Sequence, residues 1–236
     1  MNLAIITVQR SVEYLYRSLF SLTTSGAYPG PVHLFVGTDE TEYLDALAGN
    51  PRVVVHPMPA EDWERIGPWE VRRRFTFNYS RCLAHFADGG EGLCVCEDDV
   101  LYAEGFWGLL QETVSEVEAR LREYVLALYA MADYGADPSL RRGRLYSAYP
   151  AGLFFGTQGM YYPAAVIREQ ASRLRDVGLH EASPPGDLVI RDFCDERGYL
   201  YVARRSLVQH IGRVSTGLGN FHRSSTFHGD DPGPGA

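Results

Sequence analysis

The chain has 236 residues, 45% of them hydrophobic and 12% aromatic, and a formal net charge of −8. That apolar share is ample for a sizeable core and excludes a disordered chain, while the acidic balance argues against a general nucleic-acid or anionic-membrane binder, which carries a basic surface. No apolar run reaches the roughly 18 residues a membrane helix needs, and the start, MNLAIITVQR, lacks the basic segment of a secretory leader, so a cytoplasmic protein without a membrane span is expected.

Apolar and amphipathic segments alternate through the first half. LAIITV (3–8) reads as a strand buried on both faces, followed by a helix over VEYLYRSLFSLTT with Ser11 as its cap and Gly26 as its stop. VHLFVG (32–37) is a second strand, TEYLDALAG a short helix opened by Asp39, and RVVVH (52–56) a third strand. After a connection containing Trp and Pro, a longer helix spans about Val71 to Phe86, GLCVCE (92–97) forms a fourth strand, and a helix covers about 104–122. In the second half YVLALYA (124–130) and LFFGTQGMYY (153–162) read as strands, with a loop or hairpin between them. Pro163 starts a helix that runs to about Arg175, and another begins near PPGDLVIRDF. This alternation predicts an α/β fold with a mostly parallel central sheet flanked by helices and ligands at the carboxyl ends of its strands. The four cysteines, 82, 94, 96 and 194, fit small buried thiols of a reducing compartment; Cys94 and Cys96 lie on one strand face, in neither redox-pair nor zinc-knuckle spacing.

The stretch LCVCEDDV (93–100) carries the chemistry. Three adjacent carboxylates at the end of a buried strand repel one another and are costly to desolvate. If the strand geometry persists, Glu97 and Asp99 share a face while Asp98 points away, which suits a hard divalent cation, Mn²⁺ or Mg²⁺, able to hold a diphosphate. The alternative is that Asp98 or Asp99 caps the next helix or opens a turn. On the helix ahead, Arg74, Asn78 and Arg81 form one polar stripe opposite Phe75, Cys82 and Phe86: a solvated face, or a nucleotide contact.

LCVCEDDV resembles the strand and acidic DxD-type motif of GT-A fold glycosyltransferases. FTFNYSRCLAHF (75–86), GTQGMYYP (156–163), PGDLVIRDF (185–193) and SLVQHIG (206–212) resemble, in that order, segments of the N-acetylglucosaminyltransferases that branch N-glycans. The triplet reads EDD where the family has DxD. The resemblance implies one GT-A domain over 1–236, with a nucleotide-binding half (1–100), an acceptor half (101–228) and a flexible tail (229–236). It implies a metal-dependent, inverting transfer from a nucleotide-sugar donor, a UDP-sugar, to a hydroxyl-bearing acceptor. Asp99 would ligate the metal, Glu97 and Asp98 would face the donor, and Arg10 would lie near the base. Arg74, Asn78 and Arg81 would contact the nucleotide. His210 would complete the metal shell, with His222 and His228 as rivals on a tail that could fold as a lid. Asp187, after a Pro-Pro-Gly turn at a helix start, would be the acceptor-side general base; a helix cap is the competing role. A nucleotidyltransferase would share the metal site, but TVQRSVEYL has Arg10 without the glycines of a phosphate loop. A non-catalytic sugar-binding protein is the third reading.

Overall fold

A computed structural model describes residues 1–8, 12–26, 28–39, 41–47, 49–130, 140–153, 156–179, 185–212 and 223–229. Arg10, Ser11, His222 and the tail beyond Gly229 lie outside the described residues. The described strands are β1 (Asn2–Thr7), β2 (Val32–Val36), β3 (Val53–His56), β4 (Leu93–Glu97), β5 (Val100–Tyr102), β6 (Leu126–Ala127), β7 (Tyr146–Tyr149), β8 (Gly159–Tyr162), β9 (Leu200–Ala203) and β10 (Val208–His210). The helices are α1 (Val12–Thr24), α2 (Ala60–Ile66), α3 (Val71–Phe86), α4 (Phe106–Glu118), α5 (Ala164–Leu179) and α6 (Gly186–Glu196).

Among the described residues, eight strands form one sheet in the order β3-β2-β1-β4-β8-β6-β9-β7, and β5 pairs with β10 in a separate two-stranded ribbon. Pairings β1–β2, β2–β3, β1–β4 and β6–β9 are parallel. Strand β8 opposes both β4 and β6, and β7 opposes β9. Thus β1, β2, β3, β4, β6 and β9 run one way and only β7 and β8 the other, the α/β architecture expected, with a mostly parallel sheet flanked by helices. Strands from before and after residue 100 share the one sheet, joined at β4–β8.

The continuous apolar runs of β1 and β4 follow from burial on both faces, and the pleat sends alternate residues to opposite cores. Leu3, Ile5, Leu34, Val36, Cys94 and Cys96 pack with Leu15 and Leu22 of α1 and Phe106, Leu110 and Val114 of α4. Ala4, Ile6, Phe35, Leu93 and Val95 face the other way, onto Tyr79, Cys82 and Leu83 of α3, Val166 and Ile167 of α5, and Ile190 and Phe193 of α6. All four cysteines are free and buried. Cys94 and Cys96 do lie on one face, with Sγ atoms 3.9 Å apart, and burial pushes the Cys94 thiol well above its ordinary pKa.

Several elements differ from expectation. Helix α2 lies in the connection read as irregular; Pro59 precedes it, and Glu61 and Asp62 in its first turn complement its dipole. TEYLDALAG forms only a 3-10 helix, Glu42–Leu47. Of the expected strand 124–130 only Leu126–Ala127 forms a strand; just beyond it the Leu128 N–H donates to Gly159 O (2.9 Å) and its carbonyl accepts the Leu207 N–H (2.8 Å). No helix among the described residues is long and apolar enough to cross a membrane.

Candidate active site

The acidic triplet does not keep strand geometry. Strand β4 ends at Glu97, residues 98 and 99 turn, and β5 begins at Val100. Glu97 and Asp99 therefore do not form the expected pair on one strand face; the turn sends the three carboxylates to three different elements. Thr157, just before β8, donates its hydroxyl to Glu97 Oε1 at 2.8 Å. Thr7, the last residue of β1, donates to Asp98 Oδ2 at 2.6 Å. His210, the last residue of β10, places Nε2 3.1 Å from Asp99 Oδ2. Each carboxylate thus has a polar neighbour on a different element.

Backbone pairing fixes this divergence. The Glu97 N–H donates to Gln158 O (3.0 Å) and the Asp98 N–H to Ile6 O (3.1 Å), so the turn is stitched to the strands on either side of β4. On the ribbon His210 sits opposite Val100, and the Ile211 N–H donates to Asp99 O at 2.8 Å. The side chains of Asp99 and His210 are 2% and 12% exposed, a carboxylate and an imidazole held together with little water. Gly212 closes over the pair: a Cβ there would collide with Asp99 Oδ2 and lie 2.9 Å from His210 Nε2. Only glycine lets the backbone approach these two atoms so closely.

This pair fits a divalent cation. One carboxylate oxygen and one imidazole nitrogen, close together and screened, suit Mn²⁺ or Mg²⁺ that takes its other oxygens from phosphates and waters. No third His, Cys, Asp or Glu joins it among the described residues; the group of three that does converge, His33, His56 and His85, lies elsewhere. Of the three late histidines, His210 reaches Asp99, while His228 is exposed and its carbonyl accepts the Glu104 N–H at 3.1 Å.

Asp187 lies in the first turn of α6, whose N-cap is Pro185. Its Oδ1 accepts the Leu188 N–H (3.1 Å) and its Oδ2 the Gly156 N–H (3.4 Å). Gly156 adopts φ +82°, a conformation that side chains rarely take, and is followed by Thr157, the partner of Glu97. One short loop thus links the carboxylate of α6 to that of β4. Both bonds come from backbone N–H groups, one within α6 and one from a neighbouring loop, as the competing role of an Asp that satisfies backbone donors at a helix start expects.

The stripe on α3 faces inward instead of forming a solvated surface. Arg74 and Asn78 are 8% and 0% exposed. Asn78 Nδ2 donates to Phe35 O (3.0 Å) and Thr7 O (3.4 Å), while its Oδ1 accepts from Arg81 Nη1 (2.8 Å). Arg81 Nη2 also donates to Pro57 O at 2.8 Å. Parallel strands end in carbonyls that need donors, and α3 supplies them. Asn78 and Arg81 therefore position the ends of β1 and β2 and the loop after β3. Arg74 rests 5.2 Å from the ring centroid of Trp63. Thr7, Thr157 and Gly212 are the parts of the site that sequence reasoning missed. The only available signals were the glycines of GTQG and QHIG, each placed beside a named polar residue.

No protein-family model and no curated protein matches the sequence. Among solved structures the chain is similar to a galactosyltransferase, LgtC, in complex with donor and acceptor sugar analogs, at 11% identity and TM-score 0.48, covering 84% of this chain and 71% of that one. It is also similar to an active-site mutant of LgtC at 12% identity and TM-score 0.49, covering 82% and 70%. Both are galactosyltransferase structures, not N-acetylglucosaminyltransferases, and neither likeness bears on the reaction, which has to be argued from the residues at the end of β4.

Proposed function

We propose that the chain is a GT-A-type glycosyltransferase that moves a sugar from a nucleoside-diphosphate donor, a UDP-sugar, to a hydroxyl acceptor with inversion at the anomeric carbon. One observation carries the reading: Asp99 Oδ2 and His210 Nε2 converge 3.1 Å apart at the carboxyl end of a parallel strand, beside a glycine whose backbone approaches both atoms. That is where open α/β sheets take their ligands. Asp99 and His210 would hold Mn²⁺ or Mg²⁺, which when bound offsets the charge that develops on a leaving diphosphate.

The remaining steps belong to the chain's own groups. Glu97, oriented by Thr157, and Asp98, oriented by Thr7, are acceptors for the ribose and sugar hydroxyls of the donor. Arg74, beside Trp63, offers a guanidinium and an aromatic wall for the nucleotide; Arg10, outside the described residues, is a further candidate by its place in the sequence. Asp187 takes the proton of the acceptor hydroxyl as its oxygen bonds to the anomeric carbon and the bond from that carbon to the diphosphate breaks. A carboxylate fixed by Gly156 at a helix start changes orientation little as it does so, which favours a general base.

Nucleotide sugars screened for Mn²⁺-dependent hydrolysis and thermal stabilisation test the reading. The expected result is stabilisation by one UDP-sugar with Mn²⁺, release of UDP, and a product of inverted anomeric configuration by NMR. Pyrophosphate released from a nucleoside triphosphate and a sugar 1-phosphate, with no turnover of nucleotide sugars, would indicate nucleotidyl transfer instead. Metal-independent sugar binding without turnover would leave a sugar-binding protein.

A further inference from the structure

A second polar cluster lies on the flank of the sheet. His33 is the second residue of β2, His56 the last of edge strand β3, and His85 sits in the last turn of α3. In the parallel register His33 faces Val54 and Phe35 faces His56, so His33 and His56 are diagonal neighbours on one face. That face is the one α3 covers. One ligand atom from each of the three rings lies within 4.8 Å of the others, and His33 Nδ1 is 2.9 Å from His56 Nε2.

Packing holds the rings in place. His56 stacks on Phe35 at 4.3 Å with an interplanar angle of 6°, and His33 meets the edge of Phe86 at 5.0 Å and 86°. His85 lies 4.6 Å from His56 and 6.0 Å from His33, centroid to centroid, and is exposed. Three side chains from separate elements thus converge on one point, and the exposed imidazole, His85, stands on the solvent side.

We infer that His33, His56 and His85 form an imidazole-only cation site, selective for Zn²⁺ over Mn²⁺ or Mg²⁺, that ties edge strand β3 and β2 to the C-terminal turn of α3. Zinc–nitrogen bonds of about 2.0–2.1 Å place two tetrahedral ligands roughly 3.3 Å apart, so the observed 2.9 Å needs little adjustment. A cation would take the place of the hydrogen bond between His33 and His56, each ring then carrying its N–H on the other nitrogen. Imidazole without carboxylate suits Zn²⁺, Ni²⁺ or Cu²⁺ and disfavours hard cations. Three protein ligands leave a fourth, solvent-facing position for water. Edge strands are the least constrained part of a sheet, and a clip there stabilises what hydrogen bonding on one side alone does not.

The test is Zn²⁺ binding by the untagged full chain, measured by calorimetry in the Asp99→Ala background so that the pair at β4 does not contribute. One Zn²⁺ per chain is expected, with a tetrahedral ligand-field spectrum on Co²⁺ substitution. In His85→Ala, an exposed position that accepts alanine, affinity should drop by more than the roughly 10–100-fold that outer-sphere changes cost. In wild type, NMR of the imidazole nitrogens should show His33, His56 and His85 shifting together on Zn²⁺ addition, and this readout needs no variant to fold. Zn²⁺ affinity indifferent to His85→Ala, or the three rings unmoved at saturating Zn²⁺, would overturn the inference.

Discussion

The end of β4 and the flank of β3 each gather ligand atoms on the same sheet, yet they do so in opposite ways. At β4 one carboxylate and one imidazole meet at a strand's carboxyl end, nearly sealed from water, with the Gly212 backbone packed close against them. At β3 three imidazoles meet across two strands and a helix, walled by Phe35 and Phe86 and open at His85. The first lies where strand ends and connecting loops create a crevice, so an incomplete shell can be finished by a substrate's oxygens. The second lies along the side of an element pair, where no crevice is needed and the protein itself supplies most of the shell. Donor chemistry would then sort the cations we propose: Mn²⁺ or Mg²⁺ to the mixed pair, Zn²⁺ to the imidazoles.

The largest effect expected is from Asp99→Ala. Removing the carboxylate should abolish the Mn²⁺-dependent part of UDP binding, while His85→Ala leaves it unchanged. Calorimetric titration of both variants with UDP, with and without Mn²⁺, makes the measurement, with thermal melts to show that each is folded. Mn²⁺-dependent UDP affinity that survives in Asp99→Ala would reduce the pair at β4 to a structural hydrogen bond.

Next in size is Asp187→Asn. Loss of general-base help costs about 10²–10⁴-fold in turnover with donor affinity nearly unchanged. Asparagine keeps one acceptor oxygen, enough for either the Leu188 or the Gly156 N–H but not both, so a thermal melt accompanies the assay to show that the variant is folded. Near wild-type turnover would remove Asp187 from the chemistry and leave it a local tether.

How much of this contrast can be read from sequence depends on range. The apolar runs of β1 and β4 and the helical spacing of α1 and α3 are legible because each is a local pattern long enough to show its period. Helix α2, seven residues, and strands β5 and β10, three each, are too short to show one. The chemistry of Asp99 and of His210 is legible as residue type, but their meeting joins positions 111 residues apart. The divergence of Glu97, Asp98 and Asp99 depends on β4 ending one residue before Asp98, and strand ends are where local pattern says least. The α3 stripe illustrates the same limit: polar spacing marks a face of the helix, and the carbonyls at the ends of β1 and β2 decide that this face turns inward. The three histidines, spread over two strands and a helix, leave no motif.

Gly212→Ala gives a smaller and more local effect. The added methyl collides with Asp99 Oδ2 and crowds His210 Nε2, two atoms already fixed by burial and by each other. Mn²⁺ affinity in the presence of UDP should fall by roughly 10–100-fold, as when the geometry around a ligand is disturbed. Zn²⁺ binding at His33, His56 and His85 should not change. Equal losses at the two sites would mean that the substitution loosens the whole fold and says nothing specific about the pair.

The smallest effect sharpens the comparison through pH, in protein stripped of metal by EDTA. Burial lowers the pKa of His56 to about 4, and the nearby His85, His33 and Arg81 act in the same direction. His33 is lowered as well, by burial and then by His85. A histidine depressed in the folded state is held neutral there, whereas the unfolded chain takes up its proton near the ordinary value of about 6.5. Between these values the unfolded state binds more protons, so stability is full above about pH 6.5 and is lost as pH falls toward the folded value. The urea midpoint should therefore decline from pH 7 to pH 4.5, and His56→Asn, which cannot titrate, should flatten part of that decline. With Zn²⁺ present the wild-type decline should steepen, because protonation then also releases the cation. Parallel profiles for wild type and His56→Asn would show that the cluster does not couple proton uptake to unfolding.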